Sequence, residues 1–169
     1  MFRVILFVLF CVGLGTVARS EPAEEIVGKA YARDGDDLVI NGTRIRLHGI
    51  DAFELDQTCS HSGGSWACGV EAKRALDALV AGKEVRCELA QQSQTHGRSV
   101  MRCYVAELEI NAEVVKLGFA LDCPRFSHGR YEAIEREAQA AARGAWASTF
   151  VTPWAHKGKT YCETRSAGR

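Results

Sequence analysis

An excess of either charge is missing from this chain. Lys plus Arg number 21 and Asp plus Glu number 21 in 169 residues, so no bulk basic field advertises a polyanion-binding protein. Long apolar runs are missing as well. The uncharged stretch Val4 to Gly15 (VILFVLFCVGLG) is too short to cross a bilayer comfortably. No CxxC pair exists and no histidine sits at zinc-finger spacing, which argues against a structural zinc site. Internal repeats and low-complexity segments are absent too. With 47% hydrophobic and 25% charged residues, what remains is an ordinary globular composition of one-domain length.

The N-terminus carries an export pattern. Met1-Phe-Arg3 is a short positive region, the apolar run has signal-peptide length, and Ala18-Arg-Ser20 puts small residues at positions minus three and minus one of a cleavage site before Glu21. Residues 1–20 are therefore expected to be a signal peptide, with a single anchor helix as the alternative. Val8-Leu-Phe before Cys11 does not make a lipoprotein signal. The expected location is secreted or periplasmic, with no membrane span after cleavage. Removing residues 1–20 takes away Arg3 and Arg19 and no acid, leaving 19 basic and 21 acidic side chains, a formal net of −2. Such a chain exerts no long-range pull on a polyanion, so phosphate chemistry must come from a local site or a bound cation. Six cysteines remain, Cys59, Cys68, Cys87, Cys103, Cys123 and Cys162. An even number in an exported chain points to three disulfides, with fifteen connectivities open.

Residues 26–48 alternate as strands do, and Asn41-Gly42 is the dipeptide of a tight type I′ hairpin. Ile45 and Leu47 share one face of the second strand; Arg44, Arg46 and His48 share the other. Residues 51–68 read as a loop. Gly69 to Ala81 has the apolar spacing of an amphipathic helix ended by Gly82. Val85–Leu89 and Val100–Val105 form a second strand pair, and a turn centred near Thr95 would set Cys87 opposite Cys103. Short helices follow at Asn111–Leu117 and over 131–143, each ended by a glycine. The polar, basic segment after Trp154 is expected to be mobile apart from Cys162. Paired short strands with interleaved helices make the fold class α+β, with a small barrel as the sheet.

Three acidic positions stand out. Asp36 opens the second strand and Asp51 and Glu54 follow the third, so the Asn41-Gly42 turn brings them to one end of the sheet. Crowded carboxylates repel unless a cation sits among them, and an all-oxygen set suits a hard ion, Ca²⁺ or Mg²⁺. Each piece alone has a plainer reading: Asp34-Gly-Asp36 as a turn, Arg44 and Arg46 as solvated strand residues, Asp51 and Glu54 as loop surface. The histidines 48, 61, 96, 128 and 156 show no pairing pattern and read as surface or locally hydrogen-bonded residues.

Asp34-Gly-Asp36, then Arg46-Leu-His-Gly-Ile-Asp51-Ala-Phe-Glu54, then Gly97-Arg98 resemble, in order and spacing, the three signature segments of the staphylococcal nuclease-like (thermonuclease) family. The similarity runs from about Ile26 to Trp154. It includes Ile110-Asn-Ala-Glu-Val-Val-Lys-Leu-Gly118 and Gly144-Ala-Trp146, where that family keeps its second and third helices. The resemblance implies an OB-type five-stranded β-barrel with three helices, occupying residues 21–155 and followed by a basic tail, 156–169. It implies Ca²⁺ ligands at Asp36, Asp51 and Glu54, with the backbone carbonyl of Ala52. It places the catalytic carboxylate at Glu54 and phosphate-binding arginines at Arg46 and Arg98. A phosphodiester gains negative charge as water adds, and a cation with two arginines neutralises it in place. Arginine suits this because its planar fork engages two phosphate oxygens. The implied reaction is hydrolysis of single-stranded DNA or RNA by a monomer, with the 5′-oxygen leaving and 3′-phosphate ends remaining.

Several positions depart from the family pattern. Phe53 stands where it has proline, which would loosen Glu54. Asp37 replaces a threonine and adds negative charge near the cation. His96 replaces a tyrosine, and Pro124 and Phe126 replace two tyrosines that contact nucleotides, which weakens base stacking. The fold picture implies disulfides Cys59–Cys68, Cys87–Cys103 and Cys123–Cys162. An alternative function, since related proteins are encoded among exopolysaccharide (succinoglycan-type) biosynthesis genes, is a non-catalytic OB module with a polysaccharide partner.

Overall fold

The computed structural model describes residues 25–95 and 97–163; the expected signal peptide and His96 lie outside the described residues. Five strands close a barrel: β1 (Glu25–Ala32), β2 (Asp37–Ile40), β3 (Thr43–Leu47), β7 (Glu84–Thr95) and β8 (Arg98–Val105). The neighbours are antiparallel except β3 and β8, whose parallel pairing closes the barrel with Ile45 opposite Ser99 and Leu47 opposite Met101. The β2–β3 turn is the expected tight hairpin, with Asn41 at φ 50° and Gly42 at φ 79° and Ile40 opposite Thr43. β9 (Leu108–Glu109) extends the β8 edge.

Residues 51–68 are not a plain loop. β4 (Ile50–Ala52) pairs with β10 (Ala120–Asp122), and β5 (Cys59–His61) pairs with β6 (Gly64–Trp66). These runs are only three residues long, too short for a period-2 pattern to declare itself. Helix α1 (Cys68–Val80) buries Cys68, Ala72, Leu76 and Val80, one stripe at four-residue spacing. α2 (Ile110–Lys116) packs against β8 and against α4 (Glu132–Ala140). The buried side chain of Asn111 stitches α2 to the barrel: its Oδ1 accepts the Cys103 N–H at 3.0 Å and its Nδ2 donates to the His48 carbonyl at 3.0 Å. Besides the three expected helices there are single turns at α3 (Pro124–Ser127), a 3₁₀ turn (Gly144–Ala147) and α5 (Pro153–His156).

The barrel core is aliphatic, built from residues such as Leu38, Ile45, Leu76, Val85 and Met101. A second, smaller core gathers Phe53, Leu121 and Ala145 beneath Trp146, Phe150 and Trp154. All three disulfides join as the resemblance implies: Cys59–Cys68, Cys87–Cys103 and Cys123–Cys162. Cys87 and Cys103 are directly opposed in the β7–β8 ladder, which shifts register between Leu89 and Gln94 before reaching its turn.

The segment after Trp154, expected to be a mobile tail, is folded back against the body of the protein through Glu163. α5 seats Pro153 in the interior, and Gly158, at φ 65°, reverses the chain so that Tyr161 and Cys162 return to the body. Composition misled here: the segment is polar, yet a disulfide and a buried Pro153 hold its two ends.

Candidate active site

The chain enters β2 through a turn in which Asp34 Oδ1 accepts the Asp36 N–H at 3.0 Å. The antiparallel register then sets Asp37 opposite Arg46, and the Leu47 N–H donates to the Asp36 carbonyl at 2.9 Å. Asp36 is thereby carried alongside β3 and buried. Its Oδ1 takes a hydrogen bond from Arg46 Nη1, and its Oδ2 takes one from the Ala52 N–H at 2.8 Å. Arg46 Nη2 also donates to Asp51 Oδ1 at 2.5 Å. Asp36, Arg46 and Asp51 thus form one buried cluster at the end of the barrel. Parallel β3–β8 pairing brings Arg98 to the same end.

Burial pushes the Asp36 carboxyl above the ordinary carboxylate range, while Arg46 and the Ala52 N–H oppose that rise. Burial also works against the Arg46 charge, but Asp36 and Asp51 outweigh it and hold the guanidinium firmly protonated.

Glu54 sits on the turn after β4. The proline absent at position 53 is replaced by packing: Phe53 is buried, and its ring meets Phe150 edge-on at 5.0 Å. Gln57, which no sequence signal singled out, ties the turn down. Its Oε1 accepts the Glu54 N–H at 3.2 Å, its Nε2 donates to the Val151 carbonyl at 2.6 Å, and its own N–H donates to the Glu54 carbonyl at 2.8 Å. Glu54 is therefore held, contrary to the expectation of a loosened turn.

Two further residues of the site come from the segment expected to be mobile. Lys157 Nζ lies 2.8 Å from Asp51 Oδ1 and 2.6 Å from Glu54 Oε1, and Tyr161 donates its hydroxyl to Asp51 Oδ2 at 3.2 Å. Burial opposes the Lys157 charge, but Asp51 and Glu54 more than offset it and raise its pKa. The signal that could have found this segment was Cys162, since a disulfide there obliges the preceding residues to lie on the body of the protein.

Asp37 does not add bare charge near a cation. Its Oδ2 accepts from Arg44 Nη2 at 2.7 Å and from Arg98 Nη1 at 3.1 Å. His48 is neither surface nor locally bonded: it is 8% exposed, and its Nδ1 has no partner among the described residues. Its pKa is lowered, by burial first and by Arg102 next. His61 fits the local reading, its Nδ1 accepting the Gly63 N–H, while His156 reaches across to Asp56 at 3.0 Å.

A cavity of about 600 Å³ opens over this cluster. Its ionisable lining includes the cations Arg46, Arg98, Arg125 and Lys157 against the acids Asp34 and Glu54, with Tyr161 and Phe126 at one side. Arg46, Arg98 and Lys157 reach this pocket already paired with Asp36, Asp37, Asp51 and Glu54, so it concentrates both signs of charge in a chain with no net charge. Among the described residues, no group of three or more His, Cys, Asp or Glu side chains is arranged to hold a metal ion as it stands. Asp51 and Glu54 nevertheless have the donor chemistry of a hard-ion site, and the Lys157 ammonium, bonded to both, is a cation stand-in there.

Residues 44–148, more than half of the chain, match the family model described as staphylococcal nuclease homologue. The match begins after Asp36 and ends before Lys157 and Tyr161. The chain is 35% identical over 127 residues to the "Succinoglycan biosynthesis protein ExoI" of Rhizobium meliloti (strain 1021), covering 73% of this chain and 66% of that protein. It is 34% identical over 128 residues to each of two rice proteins (Oryza sativa subsp. japonica) named "Probable staphylococcal-like nuclease CAN2" and "CAN3". Those alignments cover 75% of this chain but only 32% and 31% of the rice proteins. The closed five-stranded barrel with its flanking helices is the OB-type α+β architecture that the match implies, and the chain belongs to the staphylococcal nuclease homologue family.

Proposed function

We propose that this chain is an exported phosphodiesterase that hydrolyses single-stranded DNA or RNA in the cavity lined by Arg46, Glu54 and Arg98. The observation that carries the reading is the lining of that cavity, in which Arg46, Arg98, Arg125 and Lys157 converge with the carboxylates of Asp34 and Glu54 in a chain whose formal net charge is zero. Three disulfides suit an oxidising compartment outside the cytosol. Among the described residues no helix is long and apolar enough to cross a membrane.

The chemistry follows from the residues. A phosphodiester enters with its anionic oxygens toward Arg46 and Arg98. Arg46 makes three hydrogen bonds to Asp36, Asp51 and the Ile50 carbonyl. A guanidinium has five N–H donors, so others remain for a phosphate. Glu54 accepts a proton from the water whose oxygen bonds to phosphorus; the P–O5′ bond breaks, and the departing oxygen takes a proton from solvent. Charge building on the phosphoryl oxygens is met by donors already in place. A hard divalent ion, Ca²⁺ or Mg²⁺, held by Asp36, Asp51, Glu54 and the Ala52 carbonyl, would add Lewis-acid stabilisation of that charge.

The test is cleavage of single-stranded DNA and RNA by the exported, oxidised protein, in Ca²⁺ or chelator, beside Glu54→Gln and Arg98→Ala. Metal-dependent cleavage lost in either folded variant by about a hundredfold or more supports the reading; wild-type rates in both variants overturn it. A second reading, a non-catalytic OB module acting in exopolysaccharide synthesis, is favoured by the name and coverage of the Rhizobium relative. Absence of cleavage, together with binding of an acidic polysaccharide, would select it.

A further inference from the structure

The cation that the carboxylates demand is already present, and it belongs to the protein. Asp36, Asp51 and Glu54 bring three carboxyl groups to one end of the barrel, and Arg46 engages the first two. Lys157 engages the second and third, its Nζ within 2.8 Å of Asp51 Oδ1 and 2.6 Å of Glu54 Oε1. A Ca²⁺ ion shared by those two oxygens would sit at about 2.3–2.6 Å from each, so it and the ammonium cannot share the place. Both require the same lone pairs, and two cations at that spacing repel.

Lys157 is not a freely swinging surface lysine. Its backbone N–H closes a turn on the Pro153 carbonyl at 3.2 Å, and the Lys159 N–H closes another on Trp154 at 2.7 Å. Beyond the Gly158 reversal, Tyr161 tilts against Phe126 with ring centres 6.4 Å apart and gives its hydroxyl to Asp51. Cys162 is bonded to Cys123, next to β10, which pairs with the β4 strand that carries Asp51. A lysine held at both ends has a high effective concentration at its partners.

We infer that Lys157 is a further functional residue of this site, a disulfide-tethered cation that competes with a divalent ion for Asp51 and Glu54. The inference rests on the metal-assisted reading above and adds the residue that governs occupancy. An internal competitor multiplies the apparent dissociation constant by one plus the ratio of closed to open states. Metal binding is thus weak while the segment is docked and tightens when it is released. Cleaving the Cys123–Cys162 bond removes one of its anchors, so a reducing environment would favour the metal.

The experiment is calorimetric titration of Ca²⁺ into the oxidised, exported protein and into Lys157→Met, Lys157→Arg and the Cys123→Ser/Cys162→Ser pair, each checked for folding by circular dichroism. Lys157→Met should bind Ca²⁺ about tenfold tighter or more. Lys157→Arg, which keeps the charge, should stay near the wild type, and the cysteine pair should fall between. Equal Ca²⁺ affinity in the wild type and folded Lys157→Met overturns the inference, and Ca²⁺-dependent cleavage in both would leave the proposed function standing. Absence of Ca²⁺ binding in every protein also overturns it, and chelator-insensitive or absent cleavage would then remove the metal-assisted reading too. If Lys157→Met fails to fold, the cysteine pair decides, since unchanged affinity there overturns the tether.

Discussion

Gly69 faces Glu54 so closely that a Cβ on Gly69 would lie 1.6 Å from the Glu54 carbonyl oxygen. The first turn of α1 and the turn that carries Glu54 touch backbone to backbone, and only glycine permits it. Gly69→Ala must push one of them away, and neither atom is the end of a flexible side chain. The expected result is a loss of about 1–3 kcal/mol or more in urea unfolding. Activity should also fall beyond what the unfolded fraction explains, because Glu54 moves.

Asp37, fully buried, holds Arg98 and Arg44 through a single oxygen. Arg98 therefore divides its donors between this carboxylate and any phosphate in the cavity. Asp37→Asn keeps the shape and removes the charge, leaving Arg98 with a weaker competitor. The expected outcome is a severalfold lower KM for oligonucleotide with kcat little changed, read from steady-state kinetics at low salt.

Two acids near the β10–α4 contact give a pH dependence with a definite sign. Burial raises the carboxyl pKa of Asp122 above its ordinary 3.8 and that of Glu135 above its ordinary 4.5. The Glu135 carboxylate accepts the Asp122 N–H at 2.6 Å, and the two acids repel. In this window the native state binds more protons than the unfolded chain. The stability these groups contribute is complete below their ordinary values and is lost as pH rises through the raised ones. Urea melts from pH 4 upward should show a falling limb that Asp122→Asn with Glu135→Gln flattens. Glu109 works in the opposite sense: burial raises its pKa, but Arg130 and Tyr131 outweigh that and lower it. Its contribution is present above 4.5 and is lost as pH falls through the lowered value.

The Cys87–Cys103 bond spans directly opposed residues of a ladder that also holds itself together by backbone hydrogen bonds. Replacing both cysteines with alanine should lower stability by about 2–4 kcal/mol while leaving Ca²⁺ affinity unchanged, since neither residue touches the carboxylate cluster. Unchanged affinity here beside a changed affinity in the Cys123/Cys162 pair would separate general stability from the tether.

Local order and short-range pairing were legible in the chain itself. Asn41-Gly42 specifies its turn because few dipeptides accept two successive positive φ values. The stripe Cys68, Ala72, Leu76 and Val80 specifies α1 because an α-helix repeats every 3.6 residues. Asp36, Arg46 and Asp51 were readable as neighbours because one hairpin register links them, and the Gly97-Arg98 motif marked the second arginine. What local pattern could not supply is what comes from far along the chain. Lys157 and Tyr161 reach Asp51 across 106 and 110 residues, and Gln57 is tied to Val151 across 94. Such contacts leave no periodicity in the sequence, because they depend on where the barrel, the helices and one disulfide place two distant backbones. The sequence determined the barrel, its signature acids and its arginines; the tertiary structure alone decided which cation stands among them, because a charge finds its partner through space and not along the chain.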